Sequence, residues 1–318
     1  MGADSRTGTA VVFPGMGPTA FADLAKFMLV NPSARRLVRT ADEVLGYSLI
    51  DRYRETDGDY TEFSQVSFMV TCLALAEWAE KVLGMRPEIC AGPSFGGRAA
   101  AVYSGGLAFP DAVRMAARWA NCVDEYFTRE HTGLVTQSFL RTPEDVLAEV
   151  LRELDEQGEW YDVSCYIDHD IYLLSLREEK LEWLKRRLRA SGGLPVYAMR
   201  PPMHSRAFGP LRDKVEREVF ADLTFTDPQI PVVADQDGSV VDSAAGLREM
   251  LLDGFVRPVR WPDVVGTLKR RGIGKLYISG RDHLFGRVAC TTENFEVVPV
   301  APATALQPRR RSALAGTS

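Results

Sequence analysis

The stretch Glu88-Ile89-Cys90-Ala91-Gly92-Pro93-Ser94-Phe95-Gly96-Gly97-Arg98-Ala99-Ala100-Ala101 sets a short apolar run against a glycine-flanked serine and then an alanine-rich run. Glu88 to Ala91 follows a proline and reads as a short buried strand. Arg98 to Ser104 reads as a helix stopped by Gly105-Gly106, a natural C-cap pair. Between them lies G-x-S-x-G, in the strand–turn–helix setting of a nucleophile elbow. Flanking glycines let the chain turn sharply, and the turn lifts the serine hydroxyl to the carboxyl end of a strand. It also places Ser94 at a helix N-terminus, where N–H groups favour developing negative charge.

Outward from this turn, strand-like and helix-like runs alternate. Thr9 to Phe13 is β-branched and stopped by Pro14-Gly15. Residues 20–29 and 32–45 carry helical spacing, and 64–83 form a long helix that is apolar on most sides. Phe109 to about Phe127 is another helix. Ile230 to Val233 and Lys275 to Ser279 are compact strands. Alternation of this kind predicts a parallel sheet covered on both faces. Residues 130–200 follow a different order: a strand at Leu134–Leu140, a helix opened by Thr142 as N-cap and Pro143 at the first helical position, strands at 162–167 and 171–176, a helix from about Glu178 to Ala190, and a strand at Leu194–Met199. That β-α-β-β-α-β order is the ferredoxin-like signature. The expected fold class is therefore α/β: a large α/β-hydrolase-like domain with a parallel sheet (1–129 and 201–300), a small inserted ferredoxin-like domain (130–200) and a flexible tail (301–318) that ends in Arg309-Arg310-Arg311.

Composition narrows the function. The chain has 318 residues, 46% hydrophobic and 25% charged, as an ordinary globular protein does. A net charge of −5 and a pI near 5.6 argue against nucleic-acid binding. The five cysteines are odd in number and scattered, without a C-x-x-C pair, so neither a disulfide frame nor a zinc site is expected. No apolar run is long enough to span a membrane, and no signal peptide is visible. The expectation is a cytoplasmic protein with no metal and no bound cofactor.

A serine nucleophile needs a base, and the four histidines are His131, His169, His204 and His283. His204 stands out in Pro201-Pro202-Met203-His204-Ser205, just after the small domain's last strand, where a cleft between domains forms. An ordinary α/β hydrolase places an acid between the serine and a late histidine, so this chain order sets the larger domain apart from an ordinary member of that fold.

Taken together, the motifs resemble those of the malonyl-CoA:acyl-carrier-protein transacylase family, including the discrete acyltransferases of polyketide pathways. Phe13-Pro14-Gly15-Met16-Gly17 resembles the family's F-P-G-Q-G, and Gln65 matches its T-Q-P-A segment. Gly92 to Gly96 resembles G-H-S-x-G. Met203-His204-Ser205 resembles F-H-S, and Pro258-Val259-Arg260-Trp261 reads as the family's P-V-R-W. Leu276 to Leu284 is a worn copy of its closing motif. The resemblance implies ping-pong acyl transfer, with Ser94 as nucleophile and His204 as general base and then acid. The backbone N–H groups of Met16 and Phe95 would hold the oxyanion. A backbone carbonyl, expected near Ala234-Asp235, would orient the histidine. The acyl group would arrive as a phosphopantetheine thioester of an acyl carrier protein or of CoA.

The departures from the family pattern concern the acyl group. Malonyl members carry a carboxylate-clamping arginine twenty-five residues after the nucleophile, and that position here is Trp119. An indole cannot neutralise a carboxylate. Arg118, one helical position away, is expected to point elsewhere. Pro93 replaces the histidine before the serine, and Pro-Pro-Met-His stands where extender-unit enzymes carry their specificity tetrapeptide. Trp119, Gln65, Met203 and Pro93 are therefore expected around the acyl group, and malonyl is expected to be a poor substrate. The nearest analogy is with macrolactam-pathway enzymes that load an aminoacyl or dipeptidyl starter, and Asp168 or Asp170 could meet such a cationic group. Arg206, Arg186, Arg187 and Arg281 are candidate contacts for an acidic carrier protein. Two alternatives stand beside this reading: an editing acyl hydrolase of the same family, and a catalytically silent carrier-binding module in antibiotic biosynthesis.

Overall fold

A computed structural model describes residues 6–56, 58–130 and 133–307. His131 and Arg309 to Arg311 lie outside the described residues. In chain order the strands are β1 (Gly8–Val12), β2 (Ile89–Ala91), β3 (Leu134–Leu140), β4 (Tyr161–Asp168), β5 (Ile171–Arg177), β6 (Leu194–Met199), β7 (Val232–Val233), β8 (Val240–Val241), β9 (Val259–Arg260), β10 (Ile273–Ser279) and β11 (Glu296–Val300).

The larger sheet has the order β11-β10-β1-β2-β7-β8, parallel throughout except where β8 turns back on β7. Its central strands are apolar on both faces because both are covered. Val11 and Cys90 face one core with Phe27 and Leu75. Ala10, Val12 and Ile89 face a second core with Trp261 and Val264. The helix Glu62–Val82 fills much of the first core. Every residue from Ser64 to Ala76 is buried, which explains a sequence with no polar face.

The smaller sheet has the order β6-β3-β5-β4-β9, and the β-α-β-β-α-β succession holds. The helices Glu144–Glu156 and Leu181–Ala190 cover one of its faces through Leu147, Val150, Leu184 and Leu188. Its edge partner β9 comes from the P-V-R-W motif. Val259 pairs with Cys165 and Arg260 with Tyr166, so the two sheets are joined by chain from outside the insert.

The expected boundaries differ from the structure in two places. The helix after β3 begins at Glu144 with Pro143 as N-cap, and the Thr142 hydroxyl donates back to the Leu140 carbonyl instead of capping. The expected flexible tail is ordered over its first residues. Pro302–Ala305 is helical, with Pro302 buried beside the helices Phe21–Val30 and Glu62–Val82.

Candidate active site

Adjacent parallel strands end side by side, and the loops that leave their carboxyl ends converge, the usual place for a site in such sheets. The loop after β1 brings Met16, the turn after β2 brings Ser94, the loop after β7 brings Asp235, and the loop after β10 brings His283. The face of the smaller sheet opposite its helices closes over them with Thr136, Ser138 and Tyr197. Between the two sheets lies a mostly apolar cavity of about 260 Å³ that contains Ser94, Phe95, Met16 and His204.

The turn at Ser94 is tight because the glycines leave no alternative. A Cβ on Gly96 would sit 1.9 Å from the Phe13 carbonyl oxygen, and one on Gly92 would sit 2.3 Å from that of Gly96. Ser94 itself adopts φ +54°, in the left-handed region that L side chains avoid. Its Oγ lies 2.8 Å from His204 Nε2. His204 is also left-handed, at φ +62°, and is 5% exposed. Burial pushes its pKa down to about 4 against the opposing pull of the Gly254 and Arg257 carbonyls. The imidazole is thus neutral at physiological pH, as a base must be.

The expected orienting carbonyl is elsewhere. The Asp235 carbonyl accepts the Arg260 N–H at 2.7 Å, and the Ala234 carbonyl accepts the Gly238 N–H at 2.9 Å, so both are engaged. Gly254 and Arg257 supply the carbonyls nearest the imidazole, although Nδ1 meets no acceptor at full hydrogen-bond geometry. Asp235 contributes through its side chain, which sequence reasoning missed. Its Oδ2 accepts the Ser94 N–H at 2.7 Å, and burial pushes its pKa up to about 6. The backbone N–H groups of Met16 and Phe95 meet no acceptor among the described residues.

Trp119 is buried and stacks on Phe255 at 4.4 Å between ring centroids. Met203 and Trp119 line a narrow slot of about 30 Å³ beside Ser94 and His204. Gln65 donates to the Tyr60 carbonyl and accepts from Arg98, both at 2.5 Å. Pro93 shapes the turn, its carbonyl accepting the Gly96 N–H at 3.0 Å. Arg118 points outward, 3.6 Å from Asp222.

The remaining candidates are dispersed. Asp168 accepts the N–H groups of Cys290 and His169, so its carboxylate ties the small domain to the helix Ala289–Thr292 instead of facing the cavity. Arg186 and Arg187 lie on the helix that covers the far face of the smaller sheet, and Arg187 is held by Glu149 and Glu153. Arg281 pairs with Asp23 next to the cavity residues Asp282 and His283. Arg206 follows the histidine motif, with a side chain 88% exposed.

Comparison with known proteins matches residues 138–199 to the VinK acyltransferase small domain. The malonyl CoA-acyl carrier protein transacylase of Bacillus subtilis strain 168 is 24% identical over 270 residues, 83% of this chain and 84% of that protein. A malonyl-transacylase solved in complex with its type II polyketide synthase acyl-carrier protein superposes with a TM-score of 0.82 at 23% identity, covering 94% of this chain and 98% of that one. The acyltransferase domain from the second module of the salinomycin polyketide synthase gives 0.75 at 26% identity, over 94% of this chain and 71% of that one. In motifs, topology and the Ser94–His204 pair, the chain is similar over most of its length to malonyl-CoA:acyl-carrier-protein transacylases and shares their fold.

Proposed function

We propose that this protein is an acyl-carrier-protein S-acyltransferase that moves an acyl group other than malonyl onto or between carrier proteins in polyketide-type assembly. The observation that carries the reading is the 2.8 Å approach of Ser94 Oγ to a buried, neutral His204 at the mouth of the cavity between the sheets. In the first half-reaction Ser94 Oγ bonds to the thioester carbonyl carbon while its proton passes to His204 Nε2. The free N–H groups of Met16 and Phe95 stabilise the oxyanion. Collapse breaks the carbon–sulfur bond, and the departing sulfur takes the proton back. A second carrier thiol then repeats the sequence in reverse. The acyl group would come as a phosphopantetheine thioester.

Trp119 supports an acyl group other than malonyl, because an indole stands where malonyl members carry a guanidinium. Acyl carrier protein as partner is supported by the names and complexes of the relatives. Arg206 and Arg281 are the candidate contacts nearest the dyad and the cavity; Arg186 and Arg187 stand apart from it. Among the described residues no helix is long and apolar enough to cross a membrane.

Intact-mass spectrometry after exposure to malonyl, acetyl, longer acyl and aminoacyl or dipeptidyl thioesters, each on CoA and on carrier protein, tests the reading. An adduct on Ser94 that a second carrier discharges, and that Ser94→Ala abolishes, is expected. An adduct discharged only by water makes the protein a hydrolase. Carrier binding with no adduct from any thioester makes it a silent binding module.

A further inference from the structure

Arg98 is a buried charge that the acyl-transfer chemistry leaves unused. It lies on the helix Gly96–Tyr103, which leaves the nucleophile turn, and it is 4% exposed. Its guanidinium carbon lies 4.2 Å from the Trp119 ring centroid and 4.9 Å from that of Phe95. Nη1 donates to Gln65 Oε1. No carboxylate among the described residues pairs with it. Burial alone moves its pKa, down to about 9, so it remains a cation at neutral pH.

An unpaired buried charge is costly, and the two cation–π contacts offset only part of that cost. A donor nearby is unsatisfied: Trp119 Nε1 is buried with no acceptor. An orphaned donor beside an unpaired charge is rare inside proteins and calls for an explanation. Both residues line the slot that holds Ser94 and His204, and both line a second slot of about 20 Å³ with Tyr60 and Gln65. Spaces of 20 to 30 Å³ take one or two polar groups of water size, not a long chain.

We propose that Arg98, with Trp119, reads an oxygen acceptor on the acyl group, a carboxylate or carbonyl oxygen a few bonds beyond the thioester. The ligand supplies the counter-charge or partial charge that the protein withholds, which makes the pair specificity-determining. This rests on Ser94 being the acylated residue, yet it can fail separately. It also gives position 119 a purpose: the indole there stacks the cation supplied from position 98.

The test compares single-turnover acylation of Ser94 by three pantetheine thioesters of similar size: butyryl, acetoacetyl and malonyl. The wild type is expected to prefer an acceptor-bearing group over butyryl by at least about tenfold, since a site built to hydrogen-bond rejects an analogue that lacks the partner. Arg98→Met should cut that ratio about tenfold or more. Acetoacetyl over malonyl identifies a neutral carbonyl. Malonyl over acetoacetyl identifies a carboxylate, which overturns the acyl class proposed above but keeps the Arg98 assignment. No preference in the wild type, or the same preference in Arg98→Met, overturns the assignment. If no thioester acylates Ser94, calorimetric binding of the same compounds to Ser94→Ala, with and without Arg98→Met, decides Arg98 alone. Thermal melting gives a further check. Removing an uncompensated charge should leave Tm unchanged or raised, whereas a fall of several degrees with the preference intact marks Arg98 as a structural stack.

Discussion

Half-buried Ser94 is held by two buried titratable residues, His204 at its Oγ and Asp235 at its N–H, and burial sets the protonation of both. Desolvation holds the imidazole neutral with a pKa of about 4, so the rate of Ser94 acylation should stay level from pH 8 to about pH 5 and fall near pH 4. Single-turnover rates across that range check this, and a limb near pH 6.5 would show that the imidazole is solvated in solution. Asp235 titrates in the opposite sense. Its folded pKa of about 6 lies above the ordinary 3.8, so the folded state binds the proton more tightly than the unfolded chain. Stability from this group is present in full below about pH 3.8 and drains away as pH rises through about 6. Asp235→Asn keeps an acceptor for the Ser94 N–H without the buried charge. It should stabilise the protein by roughly 1–3 kcal/mol at pH 8 and by little at pH 4. Urea melts at both pH values measure the difference, and equal effects would refute the linkage.

The nucleophile turn is the element in which sequence and geometry agree most closely. Gly92 and Gly96 are required by backbone approaches of 2.3 and 1.9 Å, so the motif states its own packing. Ser94 pays for its exposure with a left-handed backbone that costs about 1–2 kcal/mol in an L residue. Replacing alanine by glycine at an ordinary helical position loses about 1 kcal/mol. At position 94 relief of strain should offset that loss, so Ser94→Gly should be at least as stable as Ser94→Ala. A glycine variant less stable by about 1 kcal/mol would mean that the turn relaxes when the hydroxyl is removed. The cap after β3 taught the reverse lesson. Thr142-Pro143 has the residue types of a helix start, yet Pro143 takes the cap position because Thr142 turns its hydroxyl back to Leu140. Local preference there yields to the path of the chain leaving the sheet.

At the scale of the whole molecule, the site depends on how the two sheets are held together. The P-V-R-W segment does this in three consecutive residues. Val259 and Arg260 extend the smaller sheet, the Arg260 N–H holds the Asp235 loop, and Trp261 is fully buried in the second core. Trp261 also donates its indole N–H to Thr291 at 2.8 Å. Trp261→Ala should cost about 3–5 kcal/mol and slow Ser94 acylation as well, because the wall of the cavity loses its anchor. Denaturant melts and acylation rates on the same preparation check both halves. A large stability loss with an unchanged rate would separate the anchor from the site.

The sequence by itself determined the alternation of elements, the inserted β-α-β-β-α-β unit, the nucleophile turn and the pairing of Ser94 with a histidine 110 residues away. These are carried by local spacing, by glycine where only glycine fits, and by motifs in order. Only the tertiary structure decided what surrounds them. The short strand β9 has too few residues to show a period, and the helix Pro302–Ala305 lies in residues that composition reads as tail. The side-chain role of Asp235 arises because β7 lies beside β2, a neighbour relation that no local pattern encodes. Arg98 reads as one more basic residue on a short helix, and its lack of a counter-ion is a property of the packed core. Burial and charge pairing come from residues distant in sequence meeting in space, so the Ser94–His204 pair was legible in the chain and the packing around it was not.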